Sequence, residues 1–326
     1  MVKAWKIRET CKNFELSKVT TILLTLICLL SLLGEWHWYF ELISHFKLQY
    51  FLLSLILISI FAYLQKWKWL SLGVLCCLFN ISSLLNWYFN PNLGIIKQEP
   101  QSLSLLLSNV YHKNNNHDDL LDLIHETNVD VLILQEVDIK WIEAIESLKT
   151  LYPYSVYKPR TRIFHKQVKY HTGIAIYSKY PLHIESSSFW EIIPGIPNIM
   201  VKLQIGDKQI SLYSTHPVSP TSALSYQRRN MQLLGIAEVI KNDKNSKILV
   251  GDLNLSMWSI DYANLINITK LINSRRGFGV IPTWPTPIPL IPIDHVLVSA
   301  DIKVRNFRPG RDIGSDHLPI IVDLIL

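Results

Sequence analysis

A layered α/β sandwich preceded by three membrane-spanning helices is the architecture this 326-residue chain predicts. Three observations carry the prediction. The first hundred residues hold three long uncharged apolar runs. From about residue 101, short β-like runs alternate with amphipathic stretches. The polar residues able to do chemistry sit just past the ends of those short runs. Composition agrees. With 49% hydrophobic residues and a mean hydropathy of +0.19 the chain is not disordered, and 12 Gly and 16 Pro exclude a collagen-like polymer.

The formal charge of +6 is mostly N-terminal: residues 1–100 carry nine Lys/Arg and five Asp/Glu. It is therefore better read as membrane topology than as a nucleic-acid footprint. The uncharged runs are residues 19–34, 48–65 and 69–89, near the ~20 residues a helix needs to cross ~30 Å of hydrocarbon. Trp36, Trp38, Tyr39, Trp67, Trp69, Trp87 and Tyr88 suit the interfaces. No signal-peptide cleavage site follows the first run before Glu35. Lys3, Lys6, Arg8, Lys12 and Lys18 precede the first run, and Lys66 and Lys68 separate the second from the third. The positive-inside rule then leaves the N-terminus inside and everything after Phe89 outside. The expected organisation is a cytoplasmic tail (1–18), a three-span region (19–89), a linker (90–102) containing Asn90-Pro91-Asn92, and one domain over 103–326. That domain has no cysteine, which is compatible with an oxidising outer compartment.

Within the domain, strands are expected over 102–108, 131–134, 173–177, 200–205, 209–214, 247–250, 294–299 and 318–324. Helices are expected over 118–128, 138–150 and 222–241. The Pro-rich stretch 281–292 is too apolar for a solvated linker and is expected to fold over the rim.

Six islands follow these runs: Ser108-Asn109, Leu134-Gln135-Glu136, Thr215-His216-Pro217, Gly251-Asp252-Leu253-Asn254, Ile293-Asp294-His295 and Gly314-Ser315-Asp316-His317. Carboxylates and amides gathered at strand ends make an oxygen-rich site for a hard cation such as Mg²⁺. Two histidines with acid partners can manage protons and phosphate charge.

In this order the islands resemble the endonuclease/exonuclease/phosphatase superfamily, with its DNase-I-like four-layered α/β sandwich. The likeness covers about residues 103–326 and includes Thr-Gly-Ile-Ala-Ile-Tyr-Ser-Lys-Tyr-Pro at 172–181 and Ser-Asp-His-Leu-Pro at 315–319. Thr283-Trp284-Pro285 followed by Ile293-Asp294-His295-Val296 is similar to membrane-anchored bacterial members. The resemblance implies Glu136 as principal metal ligand, with Asn109 beside it and Asp316 supporting a second or alternative position. It implies that Asp252 orients or deprotonates the attacking water and that Asn254 hydrogen-bonds the phosphate or that water. His317 is expected to pair with Asp294, and His216 to contact the scissile phosphate or leaving oxygen. Which histidine is base and which acid stays open. The implied cofactor is Mg²⁺ or Mn²⁺, and the implied activity is hydrolysis of phosphodiester or phosphomonoester bonds. A nuclease at a bacterial inner membrane, with its domain on the outer side, is the leading expectation. A phospholipid-type phosphodiesterase or phosphatase, and a catalytically silent binding protein, are the alternatives.

Taken singly, each island has a plainer explanation. Asn109 suits a turn, Glu136 the start of a helix, and Gly251-Asp252-Leu253-Asn254 an Asx turn. Their ordered set favours chemistry. His295 alternates to the face opposite Asp294 and is expected to be structural. Asp312, Asp261, His112, His117 and His125 are expected on surfaces or loops. Lys158, Arg160, Arg162, His165, Lys166, Lys169 and His171 are expected to form a cationic loop near the site, suited to a polyanion or simply solvated. Zinc spacing, a nucleophile elbow and a complete dinucleotide fingerprint are absent.

Overall fold

The computed structural model describes the backbone of residues 2–89, 101–164 and 167–326, and side chains outside 1–13, 90–100 and 162–171. Most of the expected linker, and all of the expected cationic side chains except Lys158 and Arg160, lie outside the described residues. The chain divides into two compact units, Met1–Tyr88 with Trp258–Ile260, and Phe89–Met257 with Asp261–Leu326.

The first unit contains α1 (Val2–Leu30), α2 (Trp38–Ser44), α3 (Lys47–Tyr63) and α4 (Trp67–Leu85). Its interior is built from Leu24, Cys28, Leu57, Phe61 and Cys76. Within it Asn80 Nδ2 donates to the Cys76 carbonyl at 2.8 Å and to Cys28 Sγ at 3.3 Å. Leu23, Leu26, Leu52, Ile56, Leu75 and Leu78 are exposed. Among the described residues, α4 alone is long and apolar enough to cross a membrane, and α2 with α3, bent by 64°, passes the same test as a pair. The first expected span differs from expectation. α1 begins in the charged tail and stops at Leu30, so its uncharged part from Val19 covers only ~18 Å at 1.5 Å per residue.

The second unit stacks two mixed sheets. One comprises β1 (Ser102–Asn109), β2 (Val131–Val137), β3 (Tyr154–Phe164), β4 (Gln167–Ser178), β12 (Lys303–Pro309) and β13 (Ile320–Ile325), in the order β12-β13-β1-β2-β4-β3. The other comprises β5 (Leu182–His183), β6 (Phe189–Glu191), β7 (Pro197–Ile205), β8 (Lys208–Thr215), β9 (Ser246–Asp252), β10 (Ile272–Asn273) and β11 (Asp294–Val298). Its order is β10-β11-β9-β8-β7-β5, with β6 also on β7. Among the described residues, only β1–β2 and β8–β9 pair in parallel; α5 (His117–Thr127) and α7 (Ala223–Asn242) lie in their respective connections.

Period-two alternation builds the layers. Leu103, Leu105, Leu107, Val131 and Ile133 join Leu212, Ile248, Val250, Val296 and Val298 in the core between the sheets. Leu106, Leu132 and Leu134 face the other way, against Leu120 and Leu123 of α5 and Trp141 of α6 (Ile139–Ala144). On the outer face of the second sheet, Gln232 of α7 hydrogen-bonds Thr215 and Asn198. The result is the expected α/β sandwich.

Three local expectations are corrected. The expected cationic loop is a β3–β4 hairpin, because Thr161 and Ile163 pair with Tyr170 and Val168 as β-formers do. The expected 138–150 helix breaks into α6 and a 3-10 turn over Glu146–Thr150. Asp261 lies in the first turn of α8 (Ile260–Thr269) rather than in a loop, and it pairs with the fully buried Arg229 at 3.1 Å.

Candidate active site

The alternation that builds the dry core also delivers the polar groups. Asn109 and Gln135 continue the inward register of Leu107 and Ile133, while Asp252 and Asp294 continue that of Val250 and Val296. Four polar residues therefore stand at the strand ends of the inter-sheet layer. Asp252 and Asp294 are direct cross-strand partners in the antiparallel β9–β11 pair, which sets their side chains side by side on one face. Close approach is possible here because residue 251 is glycine: a Cβ there would stand 2.0 Å from the Thr215 carbonyl oxygen.

Glu136 breaks the alternation. The β2–β4 register shifts between Gln135 and Val137, and Glu136 adopts φ +60°. Bulges re-aim side chains, and this one turns the carboxylate to the rim. There Asn109 Nδ2 donates to Glu136 Oε1 at 3.3 Å and to Asp252 Oδ2 at 3.3 Å.

Asp252 is the hub. Its Oδ2 lies 3.4 Å from His216 Nε2 and 3.6 Å from His317 Nε2, and its Oδ1 accepts from the Asn254 N–H at 2.9 Å. His317 Nδ1 stands 2.9 Å from Asp294 Oδ2. His216 Nε2 also lies 4.0 Å from Glu136 Oε1. Gln135 binds this rim to the first sheet, donating to the Thr215 carbonyl at 2.9 Å and accepting from the Asp252 N–H at 2.8 Å. Ser315 Oγ donates to the Asn109 carbonyl at 2.7 Å and anchors the His317 loop.

The electrostatics divides the roles. Burial disfavours charge on His317, but Asp294, Asp252 and Asp316 outweigh it and raise its pKa to about 10. Burial likewise opposes ionisation of Asp252, yet His317 and His216 hold its carboxyl below the usual range. Glu136 is also lowered, burial being outweighed by His216, His112 and Asn109. Asp316 is raised by burial and, less strongly, by the charge of Glu136.

Asp252, Asp294 and His317 each bring one ligand atom within 4.8 Å of the others, close enough for a cation on distance alone. Proton chemistry fits this trio better, since His317 carries a proton that Asp294 and Asp252 hold firmly. The half-buried carboxylates of Glu136 and Asp316, with the Asn109 amide, are the donor set that suits a hard dication. Asn254 is turned partly away: its Nδ2 donates to the Pro217 carbonyl at 3.1 Å. Asp316 stands at the edge, with Trp284 Nε1 donating to its Oδ2 at 3.4 Å. The Pro-rich stretch thus lies against the rim.

His295 faces away from the site. One ring nitrogen lies 2.9 Å from the Leu255 carbonyl oxygen and the other 3.1 Å from Asn273 Nδ2. His112 lies in a turn, as expected. It is exposed, but its Nδ1 lies 2.8 Å from Glu136 Oε2. Its position three residues past Asn109 was the available signal. The bracing contacts of Gln135 and of Arg229, whose Nη1 donates to the Asn254 carbonyl at 3.0 Å, could not be read because their partners are remote in sequence.

Residues 106–317 match the model of the Endonuclease/Exonuclease/phosphatase family. No curated protein matches the chain. Among solved structures, an endonuclease/exonuclease/phosphatase from Beutenbergia cavernae is 17% identical with a TM-score of 0.57, over 69% of this chain and 72% of that one. The D. rerio TDP2 complexed with single-strand DNA product is 16% identical with a TM-score of 0.57, over 69% and 100%. The human Nocturnin catalytic domain with bound sulfate anion is 17% identical with a TM-score of 0.54, over 68% and 94%. At these identities the likeness is one of fold.

Proposed function

Because the chain belongs to the endonuclease/exonuclease/phosphatase family and is a hydrolase of phosphate esters, we propose that it is a divalent-metal-dependent phosphodiesterase acting on nucleic acid. In this reading its N-terminal helices hold it to a membrane. The observation that carries the chemistry is the hub: one carboxylate oxygen of Asp252 faced by two imidazole nitrogens, at 3.4 and 3.6 Å.

Asp252, kept ionised by its neighbours, takes a proton from the attacking water. His317, kept cationic by Asp294 and Asp252, offers its Nε2 proton to a phosphate oxygen and then to the leaving oxygen. His216, on the other flank of Asp252, steadies the phosphate, and Asn254 holds the loop that aims Asp252. Water and a phosphodiester thus give a phosphomonoester and an alcohol, with one proton moved in at Asp252 and one moved out from His317. Glu136 and Asn109, with Asp316 beside them, would hold the divalent cation, which would supply positive charge against the phosphate oxygens.

Nucleic acid is supported by the ssDNA-bound TDP2 among structures of the same fold. A phospholipid substrate is the second reading, favoured by Ile288, 73% exposed, on the Pro-rich stretch whose Trp284 reaches Asp316. The test is hydrolysis by the full-length protein in detergent, with Mg²⁺ or Mn²⁺ and EDTA controls, of plasmid DNA, RNA, sphingomyelin vesicles and inositol phosphates. Cleavage of DNA or RNA is expected. Turnover of lipid alone would replace the substrate, and no turnover of any would favour a silent binding protein.

The anchor, taken as three spans at a bacterial inner membrane, is supported by the apolar outer faces of α1, α3 and α4. The basic residues before the first run and between the second and third support an outer position for the catalytic unit. Protease added to spheroplasts should remove the chain beyond Phe89; full protection would reverse the orientation.

A further inference from the structure

We propose that His112 is a further protein ligand, through Nδ1, for the divalent cation held by Glu136 and Asn109, and that it shifts the site from Mg²⁺ toward Mn²⁺. The proposal rests on the metal-dependent reading above and goes beyond it by adding a nitrogen donor.

The chain takes trouble to place this imidazole. Past β1, Tyr111 adopts φ +55°, and its N–H donates to Asn109 Oδ1 at 3.1 Å. The turn swings His112 back over the end of β2, where its N–H reaches Glu136 Oε2 at 3.5 Å and its Nδ1 stands 2.8 Å from the same oxygen. Glu136 comes to meet it with φ +60°. Left-handed backbone at two non-glycine residues costs free energy. An ion pair with side chains 43% and 22% exposed contributes little in return. The strain makes physical sense if the two side chains converge on something else.

Their spacing suits a shared cation. Ligand atoms about 2.1 Å from one ion and at right angles stand about 3.0 Å apart, against 2.8 Å here. Nδ1 faces the carboxylate with no carbonyl or second acid on that nitrogen among its described contacts. A carboxylate and an amide alone form the hard set that Mg²⁺ favours; an added imidazole moves the preference toward transition metals.

Full-length protein in detergent, titrated with Mn²⁺ and followed by electron paramagnetic resonance, tests this directly. Bound Mn²⁺ should show imidazole ¹⁴N modulation that survives in His216→Ala and disappears in His112→Ala. Mn²⁺ affinity should fall at least about 10-fold in His112→Ala, the scale reached by removing even an outer-shell partner. Mg²⁺ affinity should fall less. Circular dichroism should be unchanged, since His112 is exposed. Mn²⁺ bound without ¹⁴N modulation, or modulation that persists in His112→Ala, overturns the proposal and leaves the metal reading standing. Failure to bind either ion overturns both.

Discussion

The site has two halves built on different terms. Asp252, Asp294 and His317 have side chains 2%, 2% and 6% exposed, and neighbouring strands and loops fix them. Glu136 and His112, 22% and 43% exposed, stand on bent backbone at the rim. Groups that move protons need fixed partners and low dielectric. Groups that exchange a cation or substrate oxygen must stay open to solvent. One half is preset by the core; the other is set to be completed by what binds.

The hardest blow to this division falls on Asp252. Asp252→Asn should lower kcat by about 10³-fold or more while leaving KM and Mn²⁺ affinity nearly unchanged; a matching loss of metal affinity would show the halves to be one. Titration sharpens the contrast next. His317 has a folded pKa of about 10, above its ordinary 6.5, so its pairing stabilises fully below about pH 6.5 and is lost as pH rises through about 10. Activity and thermal stability should both fall along that limb, and chelation should leave the stability limb in place. In Asp294→Asn the limb should move toward neutral pH, measured by kcat profiles and by melting curves.

Weaker effects probe the supports. Arg229→Met removes a buried cation that braces the Asn254 carbonyl and Asp261. It should destabilise by about 3 kcal/mol in denaturant titration and lower kcat more than it raises KM. Asp316→Asn, at the open edge, should change kcat by about 10-fold or less and act chiefly on metal affinity, read by calorimetry. Least of all, Ile288→Ser should alter stability by about 0.5 kcal/mol or less and leave cleavage of short oligonucleotides untouched. Loss of activity on vesicle substrates alone would strengthen the lipid reading.

Much of this was legible in advance. The islands around Asn109, Glu136, His216, Asp252, Asp294 and His317 could be found because each follows an apolar run, and the alternation that marks a strand also says which side chain faces inward. What resisted reading was set by distance or by competition. Gln135 meets Thr215 across 80 positions, and no local pattern announces that bond. In 158–169 the basic residues drew attention from Thr161, Ile163, Val168 and Tyr170, whose pairing makes the hairpin. The partners of His112 and Asp261 were hidden because a lone polar group has no period to reveal what it meets. The first apolar run was counted by length, whereas α1 had already spent part of its length in the charged tail.

Gln135 has a further consequence. Its single amide stitches the first sheet to the strand ends of the second, so the reactive groups come from two stretches of chain that meet only when the layers close. A chain halted before β9 lacks Asp252, Asp294 and His317, and with them the hub and the imidazole that faces it.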